Sequence, residues 1–145
     1  MVNTEKRTEN CLLFVYGTLM QGFFNPFAKK LHQQAVWKGR ASVSGELFDL
    51  GYYPGAVYSA QSNDRIWGEV WQLEDFPKTI AALDRYEGIH DSNPEYTRRE
   101  VPVVLETGES VQCRMYVFCQ PIDSFRKIPH GDYRRWLSET KQQLP

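Results

Sequence analysis

The sequence predicts an α+β fold whose sheet is curled or barrel-like, with about three helices set between and after the strands. Two observations predict it. The segments with strand character are short and bent at glycines, and the few helical patterns are scattered among them rather than grouped. A third observation narrows it: neither G-x-G-x-x-G nor G-x-x-x-x-G-K occurs anywhere in the chain, which removes the usual nucleotide-binding, doubly wound readings.

The elements follow in order. Residues 1–10 are polar and charged and read as a disordered lead-in, and 11–145 reads as one domain. Cys11 to Tyr16 is a continuous apolar run stopped at Gly17, the pattern of a strand buried on both faces. Asn25-Pro26 supplies an N-cap followed by proline in the first turn, and Phe27, Ala28, Leu31 and Ala35 then recur at helical spacing. From Val36 to Ala60 the alternation is broken by Gly39, Gly45, Gly51, Pro54 and Gly55, which predicts two or three short strands. Arg65–Leu73 is another strand. Pro77 opens a second helix with Ile80, Leu83 and Glu87 on one stripe and Gly88 as its stop. Tyr96 to Glu106 and Ser110 to Cys119 form a hairpin around Thr107-Gly108-Glu109, with Val111, Cys113, Met115, Val117 and Cys119 on one face. A last helix spans Asp132 to Gln143, with Tyr133, Trp136 and Leu137 inward.

Bulk properties bound the function. Of the 145 residues, 41% are hydrophobic, enough for one real core, and 17 Lys and Arg against 18 Asp and Glu leave a net charge of -1. That balance lacks the one-signed field that steers proteins to a phosphate backbone, so no nucleic-acid partner is expected. Cys11, Cys113 and Cys119 are odd in number and lack a Cys-x-x-Cys pair, which points to a reducing compartment and to no zinc site. With no apolar run of about 18 residues and no signal peptide, the expected location is cytoplasmic, without membrane attachment.

Two features point to chemistry. Glu87 falls on the inward stripe in the last turn of its helix, where burial and the negative helix end both raise a carboxyl pKa toward the range useful for proton transfer near neutrality. The same spacing also suits a solvated glutamate with Tyr86 turned inward, or a bridge from Glu87 to Arg98 or Arg99. The abrupt end of the first strand at Tyr16-Gly17-Thr18-Leu19 can expose successive backbone N–H groups as a nest for a carboxylate or phosphate, or be an ordinary turn. His32, His90 and His130 have no ligand-spaced partners and read as surface or loop histidines, while Cys113 and Cys119 read as sharing a core face. Arg114 and Tyr116 lie on the opposite face of their strand.

Phe14-Val15-Tyr16-Gly17-Thr18-Leu19, Leu83-Asp84-Arg85-Tyr86-Glu87-Gly88 and Tyr96-Thr97-Arg98, in that order, resemble the γ-glutamylcyclotransferase-like family. Cys113 to Tyr116 and Gly131 to Arg134 extend the likeness to roughly residues 12–137. The resemblance implies a small, mixed, barrel-like sheet with flanking helices. It implies Glu87 as the acid/base, the backbone of Tyr16, Gly17, Thr18 and Leu19 as the cradle for a substrate's α-carboxylate and amine region, and Tyr116 as a further contact. It implies a small-molecule γ-glutamyl substrate closed to 5-oxoproline with release of an amine, without metal or cofactor. Met20 and Gln21 depart from relatives that often have a basic residue there, and the loop Ile89 to Glu95 is long enough to shape its own leaving-group pocket. A non-catalytic member of the same fold, binding a small acid or a protein partner, is the competing expectation.

Overall fold

A computed structural model of the chain describes residues 11–141, with side chains through residue 140. The predicted lead-in and the last two residues of the predicted final helix lie outside the described residues. The elements are β1 (Leu12–Val15), α1 (Pro26–Gln33), β2 (Ala35–Asp49), β3 (Pro54–Tyr58), β4 (Arg65–Leu73), α2 (Phe76–Glu87), β5 (Tyr96–Leu105), β6 (Ser110–Phe118), β7 (Arg126–Ile128) and α3 (Tyr133–Lys141).

Five strands close a barrel in the order β2-β4-β1-β6-β5, with β5 returning to β2 through Ala41↔Leu105 and Ser42↔Val104. Every pairing is antiparallel except β1 with β6, so the sheet is mixed as expected. The fold class predicted from sequence is the one observed. β1 is central and all four of its residues are buried, which explains why it reads as an unbroken apolar run rather than an alternating one.

The region read as two or three short strands differs. Residues 35–49 form one long strand that serves two sheets: its first part pairs with β4, and its last part pairs with β3 on one side and β7 on the other. Its register shifts between Trp37 and Gly39, so Gly39 and Gly45, which look like strand ends, lie within one strand, whereas Gly51 does mark the turn before β3. The three-residue β7 was not anticipated; it is short and flanked by polar loop.

The helix start at Asn25-Pro26 and the helix stop at Gly88 form as the sequence suggests, and Asp75 adds a cap the sequence reading did not name. Asn25 accepts from the Ala28 N–H at 2.9 Å and starts α1. Asp75 caps α2 by accepting from the Lys78 N–H, and Gly88, at φ 70°, ends it in the left-handed conformation. The core contains Leu13, Phe14, Val43, Leu47, Ile66, Val70, Val101, Val103 and Met115, all at most 1% exposed. Cys113 belongs to it, and burial pushes its thiol up to about 12. Cys119 does not: β6 ends at Phe118, and Cys119 is exposed beside the Pro94 carbonyl. No helix among the described residues is long and apolar enough to cross a membrane.

Candidate active site

β1, β3, α2, β5 and β6 present one end each to a cavity of about 210 Å³. It is lined by Tyr16 to Leu19 at the exit of β1, by Tyr53 and Pro54 at the start of β3, by Tyr86 and Glu87 at the end of α2, by Glu95 and Tyr96 at the start of β5, and by Tyr116 of β6. All six residues singled out from sequence therefore border one space. Its volume is below the roughly 300–1,000 Å³ of sites for drug-sized ligands and suits a small metabolite.

The turn after β1 has an asymmetry that suits an anion. Its carbonyls are tied back into the protein: Gly17 C=O accepts from Met20 N–H at 3.1 Å, and Thr18 C=O accepts from Asn25 Nδ2 at 2.8 Å. Leu19 C=O lies 2.8 Å from His32 Nε2, which must carry the proton because a carbonyl can only accept. No hydrogen bond among the described residues occupies the N–H groups of Gly17, Thr18 or Leu19. Gly17 and Leu19 are buried residues on the cavity wall, and a turn with open amides is the kind of backbone geometry that an oxygen ligand can occupy. Glycine is required at 17 for space: a Cβ there would sit 2.8 Å from Pro54 Cγ. His32 is thus not a surface histidine. It is half-buried, stacked on Trp71 at 4.5 Å, and it holds the turn from α1.

Tyr16 contributes differently from its backbone. Its hydroxyl donates to Tyr116 C=O at 2.6 Å and accepts from Ala56 N–H at 3.3 Å, so the ring is a brace between β3 and β6. Burial, chiefly, raises its pKa and keeps the phenol neutral. The Tyr116 hydroxyl donates to Asp84 Oδ1 at 2.7 Å, and Asp84 also faces Arg98 Nε at 3.3 Å. With its proton committed, Tyr116 offers the cavity its ring and an acceptor lone pair.

Glu87 is half-buried, and its carboxyl is pushed up to about 7, first by burial and second by the negative charge of Glu95. The bridge to Arg98 or Arg99 is not formed. Arg98 is taken by Asp84 one turn earlier on α2, and Arg99 lies over the Tyr58 ring at 5.1 Å. Among the described residues Glu87 has no ion-pair partner, and no Lys, Arg or His lines the cavity. Tyr86, which a small helix rotation would have turned inward, is 40% exposed and stacks on Phe27 at 3.9 Å.

Two acids escaped the sequence reading. Asp84 is 6% exposed, though its position beside Leu83 carries no signal of a partner on β5 and β6. Glu95 ends the polar loop after α2 and accepts from the Tyr53 hydroxyl at 2.7 Å. Only the length of that loop hinted that it borders the pocket. Chemically, the cavity combines unpaired amides for a carboxylate with a carboxyl able to take and return a proton near neutral pH.

Comparison with known proteins gives one family. Residues 13–135 match the model described as gamma-glutamyl cyclotransferase, AIG2-like. A Methanocaldococcus jannaschii protein provisionally named a gamma-glutamylcyclotransferase is 28% identical over 125 residues, 84% of this chain and 94% of the relative. The crystal structure of YkqA from Bacillus subtilis superposes with a TM-score of 0.70 at 28% identity, covering 94% of this chain and only 44% of that one. An AIG2-like protein from mouse superposes at 0.68 with 26% identity over 85% of this chain and 87% of its own.

Proposed function

We propose, because this chain belongs to the gamma-glutamyl cyclotransferase, AIG2-like family, that it converts a γ-glutamyl amine or γ-glutamyl amino acid into 5-oxoproline and a free amine, with Glu87 as general acid and base. The observation that carries this reading is the meeting, in one small cavity, of a turn with open amides and a carboxyl poised at about 7.

The substrate's α-carboxylate takes the unpaired N–H groups of Gly17, Thr18 and Leu19. Its α-ammonium then lies toward Glu87, whose ionised form accepts one proton and frees the nitrogen lone pair. That nitrogen attacks the γ-carbonyl carbon, forming the lactam C–N bond. The tetrahedral carbon collapses as the bond to the leaving nitrogen breaks, and the protonated Glu87 carboxyl returns its proton to that nitrogen. The attacking nitrogen sheds a second proton to water, and the released amine takes one up from water, so charge and protons balance. Holding the chain folded for ring closure supplies much of the rate, since well-oriented intramolecular attack reaches effective molarities on the order of 10⁵ M.

A carboxyl at about 7 suits both halves of this shuttle, because it is partly ionised and partly protonated at neutral pH. The test is product analysis by mass spectrometry after incubating the protein with γ-glutamyl amines and γ-glutamyl amino acids. The reading expects 5-oxoproline. Free glutamate instead would make the protein a hydrolase, and turnover of none would leave a binding protein.

A further inference from the structure

Glu69, on β4 opposite Val15 at the end of β1, is a carboxylate only 3% exposed that the proposed reaction does not use. A buried charge is costly unless its lone pairs are satisfied. Its partners include both the segment leaving the cradle and the helix beside it. Oε1 accepts from the Gln21 N–H at 2.8 Å and from the Trp71 indole Nε1 at 3.1 Å. Oε2 faces Arg134 Nη2 of α3 at 3.3 Å, and the same nitrogen donates to the Gln21 carbonyl. Both backbone groups of Gln21, two residues beyond Leu19, are therefore gripped by one ion pair.

We propose that Glu69 and Arg134 are positioning residues that clasp the cradle from behind, and that Arg134 also keeps the buried Glu69 charge from repelling the carboxylate the cradle receives. This rests on the reading of Gly17 to Leu19 as a carboxylate site. The clasp explains how the turn stays open. Ties on its carbonyls alone fix their direction, whereas Gln21 fixes where the turn ends, so the turn keeps its shape before a ligand arrives.

The two halves of the clasp are not equivalent. Glu69→Gln keeps an acceptor for Gln21 and Trp71 and removes the charge. Arg134→Gln, at a side chain 52% exposed and so tolerant of change, leaves the carboxylate buried and uncompensated behind the cradle. Binding of 5-oxoproline, which retains the α-carboxylate, is measured by calorimetry for wild type, both single variants and the double. The expected result is about threefold weaker binding for Glu69→Gln and about tenfold for Arg134→Gln, with the double variant recovering to within about twofold of Glu69→Gln. On a cleavable substrate KM should rise in the same order with kcat held within about twofold.

A strut that merely holds the fold would lower melting temperature without this ranking, and additive losses in the double variant would overturn the electrostatic part. If wild type binds no 5-oxoproline, the function reading fails, and the clasp is judged by amide hydrogen exchange across residues 17–21. Faster exchange there in either single variant supports it, and unchanged exchange overturns it.

Discussion

At the level of single residues, four acids set the electrostatics in and behind the site: Asp84, Glu87, Glu95 and Glu69. Glu87 is the one whose protonation matters near neutral pH. Its folded pKa, about 7, lies above its ordinary 4.5, so between those values the folded protein holds a proton that the unfolded chain has released. Stability therefore falls as pH rises through that window, by up to about 3 kcal/mol once above it. Glu87→Gln should be more stable than wild type at pH 8 by up to that amount, with the gap closing below about pH 5, measured by urea unfolding. A variant less stable than wild type at pH 8 would mean that Glu87 holds the fold rather than burdens it. Because the Glu95 charge adds to the upward push, Glu95→Gln should move the Glu87 titration to lower pH, read by carboxyl NMR.

Glu87 was legible because its partners in the argument, Leu83 and Ile80, are its neighbours on one helix. Asp84, Glu95 and Glu69 were not, since each is given its role by a residue more than thirty positions away or by an aromatic from another strand. His32 was misread as surface for the same reason, its acceptor being a backbone carbonyl that no pattern marks.

At the scale of elements, α2 is the part that places Glu87, the proposed proton shuttle. Its two ends were marked in the sequence by Pro77 and Gly88, whereas its N-cap, Asp75, was not read there. What fixes its rotation was not visible: Asp84 joins it to β6 through the Tyr116 hydroxyl and to β5 through Arg98. Asp84→Ala would strand both partners and should cost about 3 kcal/mol of stability, measured by denaturant unfolding. Because α2 would then be free to turn, 5-oxoproline formation should fall even at temperatures where the variant is folded. Full activity in a folded Asp84→Ala protein would show that the pair is dispensable for placing Glu87. β2 shows the opposite limit of sequence reading. Gly39 and Gly45 look like chain breaks in a flat sheet, but a strand that passes from a barrel into a second sheet needs its bends inside.

At the scale of the whole molecule, barrel closure is what gathers the site. The sheet order β2-β4-β1-β6-β5 puts the exit of β1 against β6 and brings the start of β5 and the end of α2 to the same rim. The class of this architecture was readable from short bent strands and scattered helices. The closure itself rests on β2 pairing β5 across some sixty residues, which periodicity does not encode. In the proposed function this rim is a cyclising site driven by one carboxyl of raised pKa. The decisive experiment is the pH dependence of 5-oxoproline release, expressed as kcat/KM, for wild type and Glu87→Gln on a γ-glutamyl amine. The wild-type rate should climb through a pKa of about 7, and the variant should be slowed by at least about a hundredfold with that limb gone. A Glu87→Gln protein that keeps the wild-type rate and profile would contradict it.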